Sequence, residues 1–272
     1  MEQKREYNTD DFLLKKVSDS DVSEIKKALD RGANLNARDD LGYTALIIAS
    51  SKGCAETAEM LIVYGADVNA RDSFGYTAIM RASINNHIGI IRLLLKSGAD
   101  VNAQSDDGWN ALCWAAFYGL TGIVKLLLDN NADINSKTKN GQTPLMKASN
   151  EGRTETVRFL VDNGADLNIQ NNEGKTALIR ISNWVHANLI LKYTKIAGLL
   201  IGKGADLNIT TKYGKTALMY AASSGHNNVA RLLINAGADI HIRDKSGNSA
   251  LDYALAKKNV EIVELLNNRT SE

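Results

Sequence analysis

A spacing of 33 residues recurs along this chain of 272 residues and limits what it can fold into. A glycine, any residue, and then usually threonine occur at seven places, with successive intervals of 33, 33, 33, 33, 40 and 33 residues. The glycines are Gly42, Gly75, Gly108, Gly141, Gly174, Gly214 and Gly247. Self-similarity at this period predicts an array of small units, each too small to bury its apolar face alone.

A second sequence motif recurs with the same spacing, so the repeat does not arise by chance. It reads glycine, alanine, aspartate, an apolar residue and asparagine. Full copies span Gly65–Asn69, Gly98–Asn102, Gly164–Asn168 and Gly204–Asn208, and variants span Gly32–Asn36, Asn131–Asn135 and Gly237–His241. The two markers stay in phase and therefore define one unit.

The first complete unit shows how its residues dictate local structure. Gly42 suits a tight turn, and Thr44 is placed to cap the helix that follows. Gly53 is typical of a helix end, and a second helix is predicted over about 55–64 before Gly65 stops it. Each unit is predicted to be a turn followed by two short helices.

These residues resemble the ankyrin repeat, and the match runs from about Asp10 to Leu266. The resemblance implies an all-α solenoid of about eight helix-turn-helix units with short β-turn or hairpin tips. One departure is systematic, because apolar residues mostly replace the histidine that often follows Thr-Pro-Leu in this family. The residues at that position are Ile47, Met80, Cys113, Met146, Ile179, Met219 and Asp252.

The repeat markers predict the division of the chain. We expect a flexible N-terminus over 1–9, an N-terminal capping repeat over 10–38, repeats over 39–71, 72–104, 105–137, 138–170, 171–210 and 211–243, and a C-terminal capping repeat over 244–272. The repeat over 171–210 carries seven additional residues within Ser182–Lys195. We expect both of its helices to lengthen by about one turn, with the join near 187–188. A protruding loop is the alternative.

Composition excludes several classes of protein. Lys and Arg number 32 against 31 Asp and Glu, a net charge of +1 that argues against a generally basic nucleic-acid binder. No apolar run approaches the roughly 18 residues that cross a bilayer, and the first residues lack the apolar core of a secretory signal. With only Cys54 and Cys113, a reducing compartment fits best. We expect a cytoplasmic monomer, in its own cytosol or in a host cytosol if delivered by a leaderless route.

No pattern in the sequence indicates chemistry. Metal and acid-base sites need several ligands at short spacing, whereas His87, His186, His226 and His241 lie in different units. The resemblance implies a structural role for His87 and His226, at the start of second helices. We therefore expect no catalytic residue, no cofactor and no metal site.

Aromatic residues indicate where a partner would bind. The chain has 16 of them, and eight fall at positions that stacking does not require. Those at turn tips are Tyr43, Phe74, Tyr76, Trp109 and Tyr213, and those at the ends of first helices are Phe117, Tyr118 and Trp184. Large exposed rings are typical of recognition surfaces. Alternatively, some rings lean on a neighbouring turn and shield its backbone.

One position in each first helix mostly carries a cation or an aromatic ring, and these positions form a column along the repeats. It comprises Ile48, Arg81, Trp114, Lys147, Arg180, Tyr220 and Tyr253, one residue before a core position. Helical geometry turns this column about 100° from the core. Like charges on neighbouring helices repel, so an anionic partner would stabilise Arg81, Lys147 and Arg180. Alternatively, these side chains cover apolar neighbours or pair with local carboxylates such as Glu151.

Charge at the turn tips also changes sign along the chain. The first three complete units carry a net charge of −3 there, and the later units carry +5. Such an edge would orient a charged partner.

Two functions follow as hypotheses. The first is a non-enzymatic scaffold that binds a protein or peptide on the concave face, through these rings and the basic column. The second is a receptor for an anionic small molecule, such as a nucleotide, whose phosphates would contact Arg81, Lys147 and Arg180 and whose base would stack on Trp114 or Tyr220.

Overall fold

The computed structural model describes residues 8–183 and 189–270, with side chains to residue 268. The regular secondary structure in these ranges is α-helix, and their one trace of strand pairing is an isolated bridge between Arg71 and Thr77. The predicted fold class is confirmed. No helix in these ranges is long and apolar enough to cross a membrane.

Sixteen helices form pairs along the described chain. They are α1 (Thr9–Asp19), α2 (Val22–Asp30), α3 (Ala45–Lys52), α4 (Ala55–Val63), α5 (Ala78–Ile84), α6 (Ile88–Lys96), α7 (Ala111–Tyr118), α8 (Thr121–Leu128), α9 (Pro144–Asn150), α10 (Thr154–Asp162), α11 (Ala177–Ser182), α12 (Ile190–Gly202), α13 (Ala217–Ser224), α14 (Asn227–Asn235), α15 (Ala250–Ala256) and α16 (Val260–Thr270). Odd numbers are first helices of a repeat, and even numbers are second helices.

Side-chain caps start most of the first helices, as the sequence predicts. The Thr44 hydroxyl accepts a hydrogen bond from the Ile47 amide at 3.3 Å. Asn110 replaces threonine in the third complete unit, and its amide oxygen accepts from the Cys113 amide at 2.8 Å. Equivalent caps are Thr143, Thr176, Thr216 and Ser249. Thr77 is an exception and makes no such bond.

Gly53 shows why a glycine ends α3. Its φ is 83°, in the left-handed region that residues with a Cβ disfavour. A Cβ at this position would also lie 2.6 Å from the His87 ring. The residue therefore closes one helix and makes room for the next repeat.

The chain divides into two compact units. Unit 1 contains residues up to Ala115 together with Gly122–Asp133, and unit 2 contains Ala116–Thr121 and the residues from Ile134 onward. Within unit 1, α1, α3 and α5 pack in a row, and α4 packs on α6. Within unit 2, α9, α11, α13 and α15 form one row and α10, α12, α14 and α16 form the other.

Apolar side chains and an asparagine ladder hold the repeats together within each unit. The first helices contribute leucines and isoleucines that are only 1% exposed, such as Leu46 and Ile79 in unit 1 and Leu178 in unit 2. The side-chain oxygen of Asn69 accepts from the Asp100 amide at 2.8 Å, and that of Asn168 accepts from the Asp206 amide at 2.9 Å. The asparagine of the second marker therefore joins successive repeats.

The seven additional residues lengthen only one helix. The prediction that both helices lengthen is wrong for the first, because α11 ends at Ser182 with Asn183 as its cap. The second helix, α12, has 13 residues where α10 and α14 have 9. Tyr193 stabilises the longer helix, since its ring is 2% exposed and its hydroxyl donates to the Asn150 carbonyl at 2.7 Å. The predicted join near 187–188 lies outside the described residues.

Candidate functional site

The turn tips of unit 1 hold two apolar side chains outward. The Asp39 carboxylate accepts hydrogen bonds from the Leu41 and Tyr43 amides at 2.9 and 2.8 Å, which fixes the turn. The next tip is fixed in the same way by Asp72. Leu41 and Phe74 occupy the same position in successive tips and are 50% and 55% exposed.

Neighbouring tips are also joined through their backbones. The Ser73 amide donates to the Leu41 carbonyl at 3.0 Å, and the Asp106 amide donates to the Phe74 carbonyl at 3.0 Å. These bonds fix the positions of the three tips of unit 1 relative to one another.

A continuous stack of rings lies beside these tips. The Arg81 guanidinium lies between the Tyr43 and Tyr76 rings, 4.8 and 4.3 Å from their centroids. The Trp114 ring is 6.1 Å from Tyr76 and 4.1 Å from Trp109, with which it stacks at 27°. All five side chains are half-buried. Their contacts with one another set the position of each ring.

Arg81 already has an anion within unit 1. Its Nε donates to Asp72 Oδ2 at 3.1 Å, and a second guanidinium nitrogen bonds the same oxygen. The Asp72 side chain is fully buried. Arg81 thus pairs with a local carboxylate, as in the alternative of the sequence analysis, but that carboxylate is Asp72 and not Glu151. Its charge is offset without an anionic partner from outside. Burial raises the pKa of the Tyr76 phenol, and the Arg81 charge partly opposes this rise.

The remaining predicted rings lie in unit 2 or outside the described residues. Phe117 and Tyr118 pack edge to face with centroids 5.1 Å apart, and Tyr118 is 40% exposed. Tyr213 projects from a tip and is 67% exposed. Trp184 lies outside the described residues.

The two cations of the column in unit 2 differ in exposure. Lys147 is only 9% exposed, which corrects the expectation that it lines an open surface. Arg180 is half-buried, and its Nε donates to Asn150 Oδ1 at 2.8 Å. Burial lowers the pKa of the Arg180 guanidinium, and the charge of Glu173 opposes this shift.

Two tyrosines of the column contact lysines in unit 2. The Lys215 ammonium lies 5.8 Å from the Tyr220 centroid and 4.3 Å from that of Tyr253. The Tyr253 hydroxyl donates to Asp244 Oδ2 at 2.5 Å. Lys175 lies 5.7 Å from the Tyr220 ring and pairs with Glu173, which lowers the pKa of the Glu173 carboxyl.

Sequence reasoning missed three residues that shape these surfaces. Leu41 shares the tip position of Phe74, so aligning the repeats would have identified it. Asp72 and Asn171 both stand nine residues before a column arginine, and only one of them carries a charge. That difference was readable from the aligned repeats.

The described residues hold no group of three or more His, Cys, Asp or Glu suited to a metal ion. His87 lies at the start of α6, and its Nε2 is 3.1 Å from the Ser51 carbonyl oxygen. His226 lies at the start of α14, and its ring is close to the Ser182 backbone. Both histidines connect repeats.

Comparison with known proteins identifies the family. A model of ankyrin repeats in three copies matches residues 13–105, 71–138, 112–192 and 184–271. A comparison with curated proteins finds no significant match. Ankyrin repeats generally mediate protein–protein interaction, and the proteins that carry them are typically non-enzymatic. Because the matches run over most of its length, this chain belongs to the ankyrin repeat family.

Proposed function

We propose that this protein is a non-enzymatic scaffold that binds a protein or peptide through the tips of unit 1. The contact surface, here called the tip surface, consists of Leu41, Phe74, Tyr43, Tyr76 and Trp109. The observation that carries the proposal is the pair of exposed apolar tips beside a fixed stack of rings.

The exposed parts of two apolar side chains at the tips are available to a partner. Leu41 and Phe74 are each at least half exposed, while the core of the same repeats is already filled by side chains such as Leu46 and Ile79. Burying such side chains against a partner contributes about 25 cal/mol per Å² of apolar area.

The ring stack lowers the entropic cost of binding. Tyr43 and Tyr76 are held on either side of Arg81, and Arg81 is in turn held by the buried Asp72. Side chains that are fixed before binding lose little freedom when a partner arrives, and tyrosine, tryptophan and arginine dominate binding energy at protein interfaces.

Charge around the tip surface favours a partner with basic residues. Asp39 and Asp72 are engaged in their turns, and Asp106 pairs with Arg71 at 3.2 Å. Asp40 and Asp107 are exposed, and neither has an ion-pair partner among the residues the structure describes. A partner segment with apolar side chains next to lysine or arginine would complement this surface.

The anionic small-molecule hypothesis has less support. It assigned phosphates to Arg81, Lys147 and Arg180 together. Arg81 is committed to Asp72, and Lys147 is buried. Those three residues do not form an open set of cations, so we do not propose this function.

Capture of partners from an extract of the source cells tests the tip surface. The full chain is immobilised, and bound proteins are quantified by mass spectrometry for the wild type and for Leu41→Ala with Phe74→Ala. Because both side chains are exposed, we expect unchanged melting and at least a roughly tenfold loss of the specific partner.

The matched control is Val63→Ala with Tyr64→Ala, which removes two exposed side chains from the end of α4 in the same unit. The control should capture the partner as the wild type does. Equal capture by the wild type and the tip variant would refute the tip surface as the binding site.

A further inference from the structure

Two arginines occupy the same position in different repeats but have different surroundings. Arg81 and Arg180 each stand four residues after the cap threonine, at Thr77 and Thr176. The residue nine positions before Arg81 is Asp72, which is its anion. The residue nine positions before Arg180 is Asn171, which is neutral.

Asn171 performs the structural task of Asp72 without its charge. Its side-chain oxygen accepts from the Glu173 and Lys175 amides, both at 2.9 Å, and Asp72 accepts from the equivalent amides at 2.9 Å. The turn is therefore satisfied in both repeats, but only one of the two repeats supplies a carboxylate to its arginine.

Arg180 is consequently a half-buried cation without a carboxylate. Its hydrogen bond is to the neutral Asn150 amide oxygen, and no acidic oxygen of the described residues lies within 4.0 Å of it. Burial lowers the pKa of Arg180 and the negative charge of Glu173 opposes this shift, but the Glu173 carboxylate itself pairs with Lys175 at 2.6 Å. Removing a charge from water without pairing it is unfavourable, so an external anion would stabilise Arg180.

Exposed lysines and an exposed ring also lie on the tips of unit 2. Lys139, Lys212 and Lys245 are exposed, and none forms an ion pair within the described ranges. Backbone bonds connect the tips, including Lys212 amide to Glu173 carbonyl at 3.1 Å and Lys245 amide to Tyr213 carbonyl at 3.0 Å. Tyr213, which is 67% exposed, directly follows Lys212 in its tip.

We propose that unit 2 binds an acidic peptide segment, with one carboxylate paired to Arg180 and others along Lys139, Lys212 and Lys245. Tyr213 provides apolar contact within that row. The site involves neither the residues nor the unit of the tip surface, so it stands or fails separately from the proposed function.

The arrangement favours carboxylates over a polyphosphate. A phosphate cluster is best held by several cations that converge on one point. Here Lys175 is paired with Glu173, and Lys215 lies against the Tyr253 ring, so Arg180 offers a single guanidinium. The other cations are distributed over successive tips, which suits charges spaced along an extended peptide.

Selection from a random peptide library on the immobilised full chain tests this proposal. We expect enriched sequences rich in aspartate and glutamate. The decisive variant is Asn171→Asp, which gives Arg180 the carboxylate that Arg81 has while keeping an acceptor for both turn amides. It should melt at a higher temperature and bind the best acidic peptide about tenfold more weakly.

Matched charge changes elsewhere in unit 2 serve as controls. Asn228→Asp alters an exposed residue in the first turn of α14, and its binding should stay within about twofold of the wild type. Lys139, Lys212 and Lys245 changed together to Gln should also weaken binding about tenfold. The same change at Lys192, Lys195 and Lys257, which are exposed, should not.

Three results would overturn the proposal. The first is an enriched peptide set with no acidic excess. The second is wild-type binding by Asn171→Asp together with equal effects of the two lysine variants. The third is displacement of the peptide by tripolyphosphate or a single-stranded oligonucleotide at lower concentration than by the peptide itself, which would identify a phosphate site.

Discussion

At the scale of single residues, Asp72 both fixes a turn and pairs with an arginine. Its carboxylate accepts the Phe74 and Tyr76 amides, pairs with Arg81 and lies fully buried. Asp106 forms the contrasting pair with Arg71, in which both side chains are about half exposed or more. Buried and exposed ion pairs differ in how much the loss of one partner costs.

Asp72→Asn should therefore destabilise the protein by about 2–3 kcal/mol, because it leaves Arg81 half-buried without its anion while preserving the turn acceptor. Asp106→Asn makes the same chemical change at the exposed pair, and it should cost less than about 0.5 kcal/mol. Urea unfolding of the two variants measures both values. Similar losses for the two variants would show that Asp72 acts only as a turn residue.

The contrast between these aspartates explains where sequence reasoning about residues failed. Arg81, Lys147 and Arg180 occupy the same position in their repeats. That alignment does not give the electrostatics of Arg81, because the carboxylate that pairs with it, Asp72, lies nine residues earlier on the turn tip. The helical period describes neighbours on one helix, and it gives no distance between a tip and a helix.

At the scale of elements, the second helices begin with residues that reach back to the preceding repeat. His87 Nε2 lies 3.1 Å from the Ser51 carbonyl oxygen, and Arg153 Nε donates to the Phe117 carbonyl at 3.0 Å. His226 begins α14 at the position of His87, and its ring is close to the Ser182 backbone of the preceding repeat. These bonds satisfy carbonyl groups near the ends of first helices, which have no intrahelical donor.

The His226 ring gives α14 a predictable dependence on pH. Burial lowers its pKa from the ordinary value of 6.5, so the unfolded chain takes up a proton at a higher pH than the folded chain does. Stability that is fully present above about pH 6.5 is therefore lost as the pH falls through the lowered pKa of the folded state.

His226→Gln should remove this loss, because glutamine does not titrate. The free energy of unfolding, measured between about pH 7.5 and 5, should fall less steeply in this variant than in the wild type. His241→Gln, at an exposed ring, is the control and should leave the slope unchanged. An unaltered slope in His226→Gln would assign the pH dependence to other groups.

The lengthened α12 shows the limit of predicting elements from sequence. Seven additional residues equal about two helical turns, and that count fits one turn on each helix as well as other divisions. In the structure the second helix, α12, is the longer one. Tyr193 of this helix is buried and donates a hydrogen bond to the Asn150 carbonyl of the preceding repeat. Burial of that ring is a tertiary effect, which a residue count does not contain.

At the scale of the whole molecule, the repeat architecture was predictable because its determinants are local. Each turn glycine, cap threonine and ladder asparagine acts within one repeat or on the next, so the 33-residue spacing carries most of the fold. Binding surfaces depend on which side chains remain exposed after stacking. The sequence did not indicate that Leu41 is exposed and Lys147 buried. Their exposed fractions in the structure are 50% and 9%.

The two proposed surfaces predict independent binding. They lie in different units and differ in chemistry, since one presents apolar tips, rings and acidic residues and the other presents lysines and Arg180. Sites that share no residues have additive effects, so the tip variant and Asn171→Asp should each alter only their own partner.

Titration of the acidic peptide against the tip variant, and partner capture by Asn171→Asp, test this additivity. The coupling free energy from the double variant should be below about 0.5 kcal/mol. A larger coupling would mean that one extended partner contacts both surfaces at once, because loss of either contact would then weaken the other. The protein would in that case bind a single partner that has a basic, apolar segment and an acidic segment. Shortening the partner from each end would then give the order of the two segments.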